Sequence, residues 1–198
     1  ITPNRSDCLG VKGIARDLYA SGLGKFIDNS KISFKSKLNR KIKVSIQKDS
    51  GCSQFGSLII QGIKNCESPR WLKSHLSSIG LKPISAVVDI TNFIMIDLNR
   101  PMHAYDLNKI AKKEIIVRKS KSNERFLALD DKEYNLPTNS CVIADKNSVL
   151  GLGGIIGGKT SSISDNTCDI VLEAAAFDPI SISSTSKKLS LNLSLIHI

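Results

Sequence analysis

The chain has 198 residues, 41% of them hydrophobic, with 28 Lys and Arg against 18 Asp and Glu and a formal net charge of +10. That length and apolar content exclude global disorder and supply one good core with room for an appendage. The basic balance fits a polyanionic partner such as nucleic acid without naming one, and no run suits a membrane span: Ile79 to Leu98 is broken by Lys82, Asp89, Asn92 and Asp97.

Residue 1 is Ile, followed by a charged stretch instead of a signal sequence, and the missing initiator Met predicts that the chain begins inside a longer protein. The cysteines, Cys8, Cys52, Cys66, Cys141 and Cys168, are odd in number and contain no Cys-x-x-Cys pair. They read as buried free thiols in a reducing cytoplasm, not as a zinc site or a disulfide framework.

In chain order, a first helix is predicted with Asp7 as its cap, Val11, Ile14, Ala15 and Leu18 on one apolar face, and Gly22 at its end. It reads as the C-terminal part of a preceding domain, residues 1–28. Ser and Lys dominate 29–42, which reads as a linker, and a second domain is expected over 43–192. There, Lys43 to Gln47 and Leu58 to Ile63 have strand character. Ser68-Pro69 predicts a helix start with a capping hydroxyl, and Trp71, Leu72, Leu76 and Ile79 would form its buried stripe up to Gly80. Asp89 is expected to cap a second helix running to about Leu98, with Asn99 at its end.

Beyond residue 112 the texture is of short strands: Glu114 to Arg118, Arg125 to Leu129, Glu133 to Leu136, Cys141 to Ala144 and Ile170 to Leu172, with a tight turn at Asp130-Asp131. Asp178-Pro179 opens a last helix by the same cap-plus-Pro logic. The expected fold class is α+β, a mostly antiparallel sheet with packed helices, preceded by the short N-terminal helical segment.

The run Gly151-Leu-Gly-Gly-Ile-Ile-Gly-Gly158 is not a phosphate loop. It lacks the Gly-Lys-Ser/Thr ending, and Ile156 stands where G-x-G-x-x-G needs its third Gly. Two readings survive: a turn requiring φ > 0, favoured by the residues alone, or a wall where a substrate approaches bare backbone. His103, in Pro101-Met-His-Ala-Tyr-Asp106, could be a general base oriented by Asp106, or a hydrogen-bonded structural histidine with Asp106 capping the next short helix. Glu173, between Ile170-Val171-Leu172 and Ala174 to Ala176, must be paired, hydrogen-bonded or functional unless it faces outward from an edge strand. The residues alone identify no reaction.

Several long motifs supply one by resemblance. Ser68-Pro-Arg-Trp-Leu, Gly80-Leu-Lys-Pro-Ile-Ser-Ala-Val-Val-Asp-Ile-Thr-Asn92 and Arg100-Pro-Met-His-Ala-Tyr-Asp106 resemble the beta subunit of bacterial phenylalanyl-tRNA synthetase. Val142-Ile-Ala-Asp145, Gly153-Gly-Ile-Ile-Gly-Gly158 and Val171-Leu-Glu-Ala-Ala-Ala-Phe-Asp-Pro179 follow in the same order. The resemblance implies an editing domain that hydrolyses mischarged Tyr-tRNA(Phe), within an enzyme expected to use ATP and magnesium and to form an alpha2-beta2 heterotetramer with an alpha subunit. No cofactor is expected in this segment, because the aminoacyl ester is already activated.

By the same resemblance Glu173 falls at the phenol-recognising carboxylate and His103 at the editing-site histidine, which helps position or activate water. Thr91 and Asn92 match polar pocket residues near the terminal adenosine and the amino acid, and Gly154 and Gly157 match pocket-wall glycines. Lys82 stands where the family can carry Arg. The charge would suit the acceptor end of tRNA(Phe). After Asn192 the sequence departs from the family pattern, and Leu193 to Ile198 is expected to be a non-native tail. Two functions remain open: the editing hydrolase, or a non-catalytic module of the same enzyme that docks RNA or the alpha subunit.

Overall fold

The computed structural model describes residue 2 and residues 4–27 and 41–191. The expected linker and C-terminal tail therefore lie largely or wholly outside the described residues. Among the described residues, four α-helices, α1 (Val11–Ala20), α2 (Arg70–Ser78), α3 (Ala86–Leu98) and α4 (Pro179–Leu189), accompany ten strands. These are β1 (Lys43–Ile46), β2 (Cys52–Ile60), β3 (His103–Asp106), β4 (Glu114–Lys119), β5 (Arg125–Leu127), β6 (Glu133–Asn135), β7 (Cys141–Ala144), β8 (Val149–Leu152), β9 (Ile156–Gly157) and β10 (Ile170–Phe177).

The strands form a five-stranded sheet in the order β1-β4-β7-β8-β9, a three-stranded sheet β2-β10-β3, and the small hairpin β5-β6. Every pairing is antiparallel except β1 with β4. The fold is thus the expected α+β, with an antiparallel majority.

Alternation along the strands decides the layering. Tyr105 and Val171, with Ile59 and Phe55, turn one face of the three-stranded sheet onto Ile115, Val117, Val142 and Leu150 of the five-stranded sheet, and Ile182 of α4 joins this core. The intervening residues Ala104 and Ile170 point to the other face, where Val87 of α3 covers them. β7 and β8 are buried at every position, which explains why they read as continuous apolar runs. Fully buried Val171 alone contributes about 1.5–3 kcal/mol by leaving water.

Several local expectations need correction. The N-cap of α1 is Gly10, and Asp7 lies in a preceding 3-10 turn, where it pairs with Arg5 and Arg16 instead of capping. The Val11, Ile14 and Leu18 face is exposed. α1 meets α3 through Gly10, where an added Cβ would sit 2.7 Å from the Asn99 backbone nitrogen. Ser68 does not cap α2. Its hydroxyl donates to the buried Asp89 carboxyl at 2.5 Å. In turn, Asp89 does not cap α3, whose N-cap is Ser85. It lies in the first turn and accepts the Ile84 backbone N–H at 2.8 Å.

Only Leu72 and Leu76 of the expected α2 stripe are buried, while Trp71 and Ile79 are exposed. The five thiols are free, but only Cys8 and Cys141 are buried, and Cys66 and Cys168 lie at the surface. Among the confirmed punctuation, Asn99 and Gly80 carry positive φ, and Asp178 caps α4 by accepting from Ser181.

Candidate functional site

The sequence His103-Ala-Tyr-Asp106 forms an edge strand, so its alternating side chains divide between the two faces. His103 and Tyr105 share the face that meets the five-stranded sheet. Antiparallel pairing with β10 sets His103 opposite Glu173 and Tyr105 opposite Val171, and on the far side of β10 Glu173 stands opposite Ser57 of β2. Ser57, Glu173 and His103 therefore form one row across the sheet. Glu173 is 6% exposed, whereas Ser57 is exposed and His103 half-buried, so the carboxyl is the most enclosed member of the row.

Tyr105, 1% exposed, donates its phenolic hydrogen to Oε2 of Glu173. The His103 ring stands edge-on to the Tyr105 ring, 4.4 Å between centroids and 77° between planes. Nε2 of His103 is buried and has no hydrogen-bond partner. Asp106 does not orient this imidazole. Strand alternation sends its side chain to the other face, where it accepts from the Asn108 N–H at 2.9 Å and the Thr167 hydroxyl at 2.7 Å. The helix-cap reading of Asp106 holds and the His–Asp pair does not.

The glycine run supplies the opposite wall. β8, a turn and β9 make a hairpin, and at Gly154, with φ of +66°, the turn reading holds. At Gly157 the group packed on the bare backbone is the His103 ring of the chain itself: an added Cβ would lie 2.7 Å from its Nε2. At Gly151 it would sit 3.4 Å from the Tyr105 hydroxyl. Leu129, just past β5, takes a backbone hydrogen bond from its own N–H to the Gly157 carbonyl and reaches over the same glycine.

Electrostatics follow from this burial. Desolvation pushes the Glu173 carboxyl up to about 7, against the opposing pull of the Tyr105 hydrogen bond. It also pulls the His103 imidazole down to about 4, so the ring is neutral near pH 7. The Tyr105 phenol is raised, by burial first and then by the neighbouring carboxylate. A neutral imidazole beside a carboxyl that titrates near neutrality can hold a water molecule and read a hydroxyl donor.

The structure thus brings His103, Glu173 and Gly157 together. Gly154 instead packs on Phe177 and Ile182, with an added Cβ 3.2 Å from the Phe177 ring. Thr91 is buried on α3 and donates to the Val88 carbonyl at 2.7 Å. It lies one turn after Val87, which packs on the reverse face of the three-stranded sheet. Asn92 is half-buried on the same helix, and Lys82 is exposed just before it. Tyr105 and Ser57 were missed by sequence reasoning. Alternation from His103 would have found Tyr105, but nothing local marks Ser57, which joins the row only through pairing with β10.

The one grouping of acid and thiol ligands among the described residues, Asp7, Cys8 and Asp17, is already filled by the Arg5 guanidinium, which donates to all three. No helix among the described residues is long and apolar enough to cross a membrane.

The B3/4 domain family matches residues 51–196. Over 192 residues the chain is 44% identical to the phenylalanine–tRNA ligase beta subunit of Bradyrhizobium diazoefficiens, covering 97% of this chain and 24% of that protein. It is 49% identical over 193 residues to the corresponding subunit of Ehrlichia canis, again covering 97% of this chain and 24% of the relative. The chain spans about a quarter of the length of these curated relatives. An N-terminal fragment of the phenylalanyl-tRNA synthetase beta subunit from Pyrococcus horikoshii shares the fold, with a TM-score of 0.51 at 14% identity, over 95% of this chain and 59% of that one. The chain belongs to the B3/4 domain family, in the form carried by phenylalanine–tRNA ligase beta subunits.

Proposed function

We propose that this chain carries the proofreading site of a phenylalanine–tRNA ligase beta subunit and hydrolyses Tyr from mischarged Tyr-tRNA(Phe). The observation that carries the reading is the row Ser57–Glu173–His103: a buried carboxyl beside an imidazole nitrogen without a partner, under a wall kept bare by Gly157. A pocket selecting Phe rejects an added hydroxyl poorly, so a second site that demands the hydroxyl supplies the missing discrimination. Glu173 accepts the substrate phenol, whereas Phe would leave that carboxyl desolvated without a donor, at a cost of about 1–3 kcal/mol.

The reaction is the attack of water on the ester carbonyl. The carbonyl carbon gains the water oxygen, the bond to the ribose oxygen breaks, and that oxygen leaves with a proton as the free tRNA end. With its imidazole held near 4, His103 is a weak base at neutral pH, so its main contribution is to hold the attacking water in place. Thr91, Asn92 and Lys82 would meet the terminal nucleotide, and Gly154 would support the wall. The net charge of +10 suits the acceptor end of tRNA(Phe). The whole enzyme would join an alpha subunit in an alpha2-beta2 assembly in the cytoplasm and use ATP and magnesium for charging, at a site outside this chain.

Two variants of the alpha–beta enzyme test the roles separately. His103→Ala is expected to slow deacylation of Tyr-tRNA(Phe) about a hundredfold. Glu173→Ala should lower Tyr-over-Phe selectivity about tenfold or more. Unchanged selectivity in the Glu173 variant would remove the pocket assignment, and the non-catalytic module would then be the better reading.

A further inference from the structure

We propose that Tyr105 is a specificity-positioning residue: its phenol holds Oε2 of Glu173, so that Oε1 is the oxygen presented to a substrate hydroxyl. The proposal rests on the editing reading and deepens it. Tyr105 and Glu173 are diagonal neighbours on adjacent strands, each beside Val171 or His103 in the register. Their contact is fully internal, with Tyr105 at 1% and Glu173 at 6% exposure. Oε1 has no hydrogen-bond partner among the described residues, while the exposed Ser57 marks the open end of the row. The His103 ring packs edge-on against the Tyr105 ring, and Gly151 borders the Tyr105 hydroxyl, where an added Cβ would stand 3.4 Å away. The carboxyl is thereby tied by one internal phenol in a geometry that leaves one acceptor for a second.

The tie also sets the charge state. Burial raises the Glu173 carboxyl, and the Tyr105 hydrogen bond is the opposing influence. The titratable groups facing it are His103 and Tyr105 on β3, Cys52 on β2 and Cys141 on β7. No lysine or arginine among the described residues pairs with it. Without the Tyr105 donor the carboxyl would stay protonated to higher pH and could turn freely, and it would then read a hydroxyl less well.

The test uses the complete alpha–beta enzyme with Tyr105→Phe, an isosteric change, and with 3-fluorotyrosine placed at 105, a stronger donor of nearly the same shape. Deacylation of Tyr-tRNA(Phe) and Phe-tRNA(Phe) is followed from pH 6 to 9. Tyr105→Phe is expected to raise KM for Tyr-tRNA(Phe) about tenfold, more than it lowers kcat, and to move the rise of Tyr-over-Phe selectivity to higher pH. Fluorotyrosine should move that rise to lower pH, and it keeps the test decisive if the Phe variant folds poorly. If the unmodified enzyme edits and Glu173→Ala relaxes its selectivity, but neither change at 105 moves KM or the pH profile, the positioning role is wrong and the editing reading stands. If the unmodified enzyme spares Tyr-tRNA(Phe), both fall.

Discussion

At the scale of the residue, the proposed chemistry rests on Gly157, the half-buried His103 and the buried Glu173. A methyl group at 157 would occupy space now held by the imidazole, with Nε2 only 2.7 Å from the added carbon, so the ring must move. Gly157→Ala should cost about 1–3 kcal/mol of stability through overpacking. It should also slow Tyr-tRNA(Phe) hydrolysis about a hundredfold if His103 positions the attacking water as proposed, because the ring must shift. A variant that edits at the normal rate would show that the ring position is irrelevant.

The two titrations act on stability with opposite signs. Glu173 is raised from 4.5 to about 7, so the folded state holds the extra proton in that interval, and its contribution, full below about 4.5, is lost as pH climbs to 7. His103 is lowered from 6.5 to about 4, so its contribution is full above 6.5 and is lost as pH falls toward 4. Each slope approaches about 1.4 kcal/mol per pH unit, and between 4.5 and 6.5 they nearly cancel. Hydrogen exchange of β3 and β10 should therefore change little over that window in the native protein. Glu173→Gln should make protection rise with pH, and His103→Gln should make it fall.

Among the elements, the link between α2 and α3 depends on Asp89. Its fully buried carboxyl accepts from the Ser68 hydroxyl and the Ile84 N–H, joining the approach to one helix to the first turn of the next. Asp89→Ala leaves the buried Ser68 hydroxyl without its partner and frees the Ile84 N–H, and should destabilise the chain by about 1–3 kcal/mol in chemical denaturation. A loss below 0.5 kcal/mol would mean that water replaces the carboxyl. Sequence reasoning found both helices but misplaced this contact, because Ser68 and Asp89 each resemble a local cap while their bond is tertiary. Asp178 was legible because its cap is local: its carboxyl bonds Ser181, three residues on. β3 was not legible as a strand, since its pairing partner lies some 65 residues downstream and Pro101 suggests a loop. The glycine run hid the β8–β9 hairpin for the same reason that it matters, as bare backbone carries no periodicity.

For the whole molecule, the arrangement of layers builds the site. The three-stranded sheet turns Tyr105 and Val171 onto the five-stranded sheet, and that same face carries Glu173 and His103 beyond the apolar core. The candidate residues His103, Glu173 and Gly157 could be named from motif resemblance, but their convergence required three elements separated in sequence. The apolar residues Val11, Ile14 and Leu18 of α1 are exposed among the described residues. The direct test of the central claim is the time course of deacylation of preformed Tyr-tRNA(Phe) by the alpha–beta enzyme carrying this region, with Phe-tRNA(Phe) alongside. The account predicts rapid loss of Tyr with Phe spared. Equal survival of both at the buffer rate, with tRNA binding intact, would contradict it.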